Sequence, residues 1–281
     1  MNTPTPIIKI DALSSKYPDI RMYIKDESVN PYGTIKDRRN AHIAKEALRL
    51  GVDKLAMITS GNNGYSLSRL ASETNIKVTC IVDKTVSEDV HKKLSEVAYQ
   101  VIKINLQDKI LRTEEIISFA RDRDDEVIWD VTNGYEESYG IVVNEILAQL
   151  PHVDYIVVPL GSGGIFVGIA EQLSKSNHIA KVIGVGPKAN YRSFADKLST
   201  PWSPYTKAIE GYEKRGHTVI RLSESEIQKT YLHCRNICNC EPSASIVFAA
   251  LEHFNFKKED TVVFINSGNS EATNFLHRSI S

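Results

Sequence analysis

Short apolar blocks alternate with amphipathic ones along most of the 281 residues. Residues 54–59, 76–82, 101–104, 127–130, 154–160, 181–185, 218–222 and 261–265 are brief and rich in Val, Ile and Leu, so each predicts a buried strand. Between them apolar residues recur at helical spacing, as with Ala41, Ala44, Ala47 and Leu48, after which Gly51 is a natural stop. Further helices are predicted over 65–75, 87–98, 109–122, 139–150 and 165–173. Another follows the capping box Ser223-Glu-Ser-Glu226, and one more comes after Glu241-Pro-Ser-Ala-Ser245 and runs to about Phe254. Strand–helix alternation over this length predicts the α/β class, with open, mostly parallel sheets flanked by helices.

Residues 187–217 break the rhythm. They hold Pro187, Pro201, Pro204, Gly211 and Gly216 among Tyr191, Trp202, Tyr205 and Tyr212. Two readings stand side by side: an ordered surface excursion, or a flap over a site.

Composition narrows the class without naming an activity. Net charge is −1, with acids and bases interspersed, which argues against a nucleic-acid or membrane-surface partner. No apolar run approaches the ~20 residues of a membrane span. Three of the four cysteines lie in Cys234-Arg-Asn-Ile-Cys238-Asn-Cys240, a spacing that matches no common zinc pattern, so buried thiols are expected and no metal. Few cysteines and no basic, apolar leader predict the cytoplasm.

The candidate chemistry sits where strands end. Asn30-Pro-Tyr-Gly33 is a turn signal, Thr34 is placed to cap a helix, and Lys36 falls in that helix's first turn. A cation there opposes the helix dipole by a few tenths of a kcal/mol. Lysine in that place is either a surface charge or an amine kept for imine formation. Gly161-Ser-Gly-Gly164 follows a strongly apolar strand and opens a helix, an arrangement in which backbone N–H groups cradle an anion. Neither the Walker nor the dinucleotide pattern is met, so a small monophosphate is expected rather than a nucleotide. Thr59-Ser-Gly-Asn-Asn63 offers hydroxyls and amides without a cation, which suits a carboxylate or a phenolate oxygen.

Lys36 within Gly33-Thr-Ile-Lys-Asp-Arg38, then Ser60-Gly-Asn62, Gly161-Ser-Gly-Gly164 and Ser267-Gly268, in that order, resemble the fold-type II pyridoxal-phosphate enzymes of the tryptophan-synthase-β superfamily. The resemblance implies a two-lobed enzyme with pyridoxal 5′-phosphate between a smaller lobe (40–145) and a larger one (1–39 with 146–281). It makes Lys36 the covalent anchor and catalytic base, Asn62 the partner of the cofactor's 3′-oxygen, and Gly161, Ser162, Gly163 and Gly164 the phosphate cup. Ser267 becomes the partner of the ring nitrogen. Thr59, Ser60, Gly61 and Asn63 become the substrate-carboxylate loop, with Tyr135 also toward substrate. A serine at the ring nitrogen does not enforce its protonation, which favours loss of a β or γ leaving group over transamination.

Within the superfamily, Asn133-Gly-Tyr135 and Glu241-Pro-Ser-Ala-Ser245 resemble the threonine-synthase and dehydratase branch, while Lys36-Asp-Arg38 and Thr59-Ser-Gly-Asn62 resemble cysteine synthase equally. The expectation is threonine synthase-like elimination or replacement on an amino-acid substrate, in a homodimer. The alternatives are cysteine synthase-like replacement, serine/threonine dehydration, or a non-catalytic relative, against which Lys36 argues. A phosphorylated substrate would draw on Lys188, Arg192 and Lys207. Asn63 and residues 187–217 depart from the family pattern, so specificity is expected there.

Overall fold

The computed structural model describes residues 4–107, 109–188, 193–200, 202–235 and 237–269. Its strands are β1 (Ile7–Lys9), β2 (Arg21–Asp26), β3 (Lys54–Ile58), β4 (Lys77–Asp83), β5 (Gln100–Ile104), β6 (Ile128–Asp130), β7 (Tyr155–Pro159), β8 (Lys181–Pro187), β9 (Thr218–Leu222) and β10 (Thr261–Asn266). Its helices are α1 (Lys36–Arg49), α2 (Asn62–Ala71), α3 (Glu88–Val97), α4 (Thr113–Ala120), α5 (Gly140–Gln149), α6 (Gly164–Lys175), α7 (Thr206–Glu213) and α8 (Glu224–Cys234). Residues 242–253 are helical as well, with a tighter turn at Ile246–Ala249 in the middle.

The chain divides into two compact units, one of residues 31–135 and one of residues up to Asn30 with Glu136–Asn269. These boundaries differ from the expected 39/40 and 145/146. Asn40 of α1 is hydrogen-bonded to Asn63 and Ser66 of α2, which draws Lys36 into the 31–135 unit. At the other boundary Gly168 lacks the Cβ that would overlap the Glu136 carbonyl, so residue 136 lies directly on α6.

The 31–135 unit carries a parallel sheet in the order β5-β4-β3-β6. Leu55, Met57, Val78 and Cys80 point into one core, with Ile43 and Ala47 of α1 and Leu67 of α2. Ala56 and Ile81 point into another, with Ile116 and Ala120 of α4. Alternate residues of one strand therefore feed opposite faces, as a parallel sheet covered on both sides requires. The larger unit has the order β1-β2-β10-β7-β8-β9, parallel except for the β1–β2 pair.

Three local outcomes differ from the sequence reading. Helix α2 begins at Asn62 rather than residue 65, because Gly61 (φ 139°) turns the chain directly out of the loop. The helix predicted over 109–122 is shortened to Thr113–Ala120. The 187–217 stretch is not structureless, since it contains α7 and a single turn at Asp196–Leu198. Tyr191, Arg192 and Pro201 of that stretch, and Ser270, lie outside the described residues.

Two lysines are buried inside strands. Lys25 of β2 is wholly enclosed and bonds Glu145 (2.6 Å) and the Thr5 carbonyl (2.6 Å). Lys54 of β3 meets Asp122 (2.6 Å) and Glu126 (3.0 Å). Burial alone would raise the Glu126 carboxyl, but hydrogen bonds from the backbone of Asp122, from Lys54 and from the backbone of Arg123 bring it down to about 2.

Candidate cofactor and substrate site

Helix α1 organises the chemistry of the 31–135 unit. Gly33 takes the positive φ (73°) that the Pro31-Tyr-Gly33 turn needs. The Tyr32 N–H then donates to Asp37 (2.7 Å), and Lys36, the first helical residue, donates its N–H to the Thr34 hydroxyl (3.3 Å). The N-cap is Ile35 and not Thr34, so the expected cap is shifted by one residue: the Thr34 hydroxyl takes the Lys36 N–H from just outside the helix. Three side chains of α1 reach the other candidate residues. Asn40 Nδ2 donates to the Asn63 carbonyl and to Ser66 Oγ, both at 3.0 Å. Arg39 donates to the carbonyls of Val131 (2.6 Å) and Gly134 (2.7 Å), and the His42 ring meets Tyr135 edge-on at 5.4 Å. Tyr135 is held at φ 64°, an uncommon conformation for a side chain with a Cβ. Lys36, the 59–63 loop and Tyr135 thus share one scaffold, and Arg39 and Asn40 are the positioning residues that the sequence reading missed.

The 59–63 loop consumes part of its own donor capacity. Thr59 Oγ1 accepts from the N–H groups of Gly61 (3.1 Å) and Gly64 (3.0 Å). Gly64 is required by crowding, since a Cβ there would lie 2.7 Å from Thr59 Cγ2 and 2.8 Å from Cys80 Sγ. Asn62 is 6% exposed, and Asn63 Oδ1 is buried with no hydrogen-bond partner among the described residues. This polar, cation-free loop at the start of α2 fits a carboxylate or a phenolate oxygen.

In the larger unit, Gly161–Gly164 joins β7 to α6, and Ser267 follows β10, which is paired with β7. Gly163 is left-handed (φ 108°), and no side chain caps α6. The first helical bond runs from Val167 N–H to the Gly163 carbonyl, and the N–H groups of Gly164, Ile165 and Phe166 meet no acceptor among the described residues. Uncapped donors at the positive end of a 12-residue helix match the needs of a phosphate dianion. Ser267 is 8% exposed. The strand end behind it is fixed by Asn266 Nδ2, which donates to Asp26 Oδ1 (2.9 Å) and the Asn239 carbonyl (3.2 Å). The Glu241 N–H donates to the Gly268 carbonyl (3.2 Å), so Glu241-Pro-Ser-Ala-Ser245 buttresses the Ser267 turn. A hydroxyl in this place can serve a pyridine nitrogen without imposing a charge on it.

The 187–217 stretch packs on this loop. Ser203 Oγ donates to the Ser162 carbonyl, and Cβ atoms added at Gly161 and Gly163 would lie 3.2 Å from Leu198 and 2.7 Å from Ile209. Lys188 and Lys207, two of the three basic residues considered for a phosphorylated substrate, are exposed, and the third, Arg192, lies outside the described residues. Cys234 and Cys240 are buried and Cys238 is partly so, and burial pushes the Cys234 thiol up to about 12. Among the described residues no group of His, Cys, Asp or Glu is placed to hold a metal ion, and no helix is long and apolar enough to cross a membrane.

These loops, set at the carboxyl ends of parallel strands with a lysine at a helix start, define a fold-type II pyridoxal-phosphate enzyme. Residues 1–268 match the family described as pyridoxal-phosphate dependent enzymes, and the chain belongs to it. It is 26% identical over 255 residues to an L-serine dehydratase of Saccharomyces cerevisiae, a match that spans 75% of this chain and 73% of that protein. Its fold is similar to a cysteine synthase of Entamoeba histolytica (TM-score 0.79, 18% identity, covering 97% of this chain and 87% of that one). It is also similar to a pyridoxal 5′-phosphate-dependent aspartate racemase (TM-score 0.80, 20% identity, covering 96% and 91%). Its cofactor is pyridoxal phosphate.

Proposed function

We propose that the protein removes or replaces a leaving group on the β carbon of an amino acid. The observation that carries this is Ser267, a buried hydroxyl and not a carboxylate, held at the end of β10 by Asn266 and its neighbours. The serine dehydratase relative supports the same reading. The γ-carbon chemistry of a threonine synthase is the second reading, supported by the Asn133-Gly-Tyr135 and Glu241-Pro-Ser-Ala-Ser245 motifs. Exposure of Lys188 and Lys207 weighs against a phosphorylated substrate for it.

Bound pyridoxal phosphate supplies an electron-withdrawing ring system that acidifies the substrate's Cα proton. In this proposal Lys36 would hold the cofactor, and its Nζ, when free, would take the Cα proton of the amino acid. The hydroxyls and remaining N–H groups of Thr59, Ser60, Gly61 and Asn63 hold the substrate carboxylate. Asn62 orients the 3′-oxygen, Gly161–Gly164 bind the phosphate, and Ser267 faces the ring nitrogen. Tyr135, packed edge-on against His42 and adjacent to the Gly134 carbonyl that Arg39 holds, bounds the substrate.

The test is a panel of serine, threonine, O-acetylserine and O-phosphohomoserine supplied to the holoenzyme, with and without a thiol nucleophile. Release of a 2-oxo acid and ammonia, or formation of a β-substituted product, is expected from the β-substituted amino acids and absent in Lys36→Ala. Turnover of O-phosphohomoserine alone would favour the second reading. Racemisation with the side chain retained would contradict both.

A further inference from the structure

The mouth of the 161–164 loop holds a carboxylate. Gly168 admits the chain at Glu136 against α6, and the Glu136 side chain then lies beside the helix start. A Cβ placed on Gly164 would be 3.5 Å from Glu136 Cγ and 3.7 Å from Glu136 Oε1. A carboxylate there is attracted by the same uncapped N–H groups and helix dipole that attract a phosphate. It is therefore an internal competitor for the anion site, and a source of like-charge repulsion against any anion seated there.

The 187–217 stretch supplies a restraint on it. Tyr205 donates its hydroxyl to Glu136 Oε1, and its Cε2 would be 3.7 Å from a Cβ on Gly164. Tyr205 is itself held through its N–H, which donates to Ser203 Oγ at 3.1 Å, and Ser203 is bonded to the Ser162 carbonyl. The phenol, the carboxylate and the glycine loop are thus one connected unit.

We propose that Tyr205 and Glu136 are positioning residues that set the affinity of the loop for the cofactor phosphate, the phenol restraining a carboxylate that otherwise competes for the start of α6. This rests on Gly161–Gly164 holding that phosphate. Loss of the phenol removes one restraint on Glu136 and shifts its balance toward the N–H groups. Loss of the carboxylate removes the competitor, after which the phenol has little left to restrain.

Comparing pyridoxal phosphate with pyridoxal, which lacks the phosphate, isolates the effect. Cofactor-stripped full-length protein is titrated with each, and inorganic phosphate is used as a competitor. Wild-type protein should prefer the phosphorylated form. Tyr205→Phe should weaken pyridoxal phosphate binding about tenfold and leave pyridoxal unchanged, and Glu136→Gln should strengthen pyridoxal phosphate binding about threefold. In the double variant Tyr205→Phe should have no further effect, whereas a purely structural role would persist there and alter both ligands. An unchanged preference in both single variants overturns the proposal while leaving the phosphate loop intact. Equal binding of the two ligands by wild-type protein overturns the proposal and the phosphate loop together.

Discussion

The loops at 59–63 and 161–164 share one plan, a buried parallel strand that turns through glycine into a helix, yet they treat their backbone donors differently. In the first, Thr59 Oγ1 absorbs the N–H groups of Gly61 and Gly64. In the second, no side chain caps α6, and the N–H groups of Gly164, Ile165 and Phe166 meet no acceptor among the described residues. A loop that spends donors on itself suits a monoanion such as a carboxylate. One that keeps them suits a dianion, and it must then manage whatever internal carboxylate lies close by, here Glu136.

The contrast can be broken most severely at Gly163. Its φ of 108° and the 2.7 Å approach of Ile209 to an added Cβ leave no room for a side chain. Gly163→Ala should cost about 2–3 kcal/mol in denaturant unfolding and abolish the preference for phosphorylated cofactor. Full stability with that preference retained would show that the loop is an ordinary turn. Thr59→Val should have a smaller effect, about 1–2 kcal/mol, by stranding two buried N–H groups. It should raise KM for the amino acid and leave cofactor affinity alone, and Thr59→Ser should restore both. An altered cofactor affinity would show that the two loops do not divide the anions in this way.

The smallest effect separates the units by acid. His217, whose Nδ1 accepts from the Val182 N–H (2.9 Å), is lowered to about 4 by burial and by Lys181 and Arg215. The unfolded chain takes up this proton from about pH 6.5 downward while the folded chain resists, so stability of the larger unit should fall between pH 6.5 and 4. Glu126, held at about 2, gives the 31–135 unit stability that is present above about pH 4.5 and is lost only as the pH falls toward 2. The two tryptophans, Trp129 and Trp202, fall one in each unit. Single-tryptophan variants should therefore show the Trp202 signal changing at higher pH than that of Trp129, and His217→Phe should erase the difference. Coincident transitions in the parent protein would contradict the assignment.

The alternation of the strands was legible because buried parallel strands read as continuous apolar runs, and the loops because glycine, asparagine and serine mark strand ends. Less legible were the parts held by distant partners. Lys25 and Lys54 look like solvent-facing residues until Glu145, Asp122 and Glu126 arrive from elsewhere in the chain. Helix α7 was hidden by the prolines and glycines around it. Arg39 and Asn40 read as the polar face of α1 but are buried ties to Gly134 and Asn63. Glu136 and Tyr205 carry no motif, and their pairing across 69 residues exists only after folding.

The central claim is that Lys36 is the residue that holds the cofactor. Reduction of the holoenzyme with borohydride would fix the linkage, and peptide mass mapping would locate it. The pyridoxyl mass should fall on the peptide that contains Lys36 and on no other. Its recovery on another lysine, or unaltered cofactor retention and turnover in Lys36→Ala, would contradict the account.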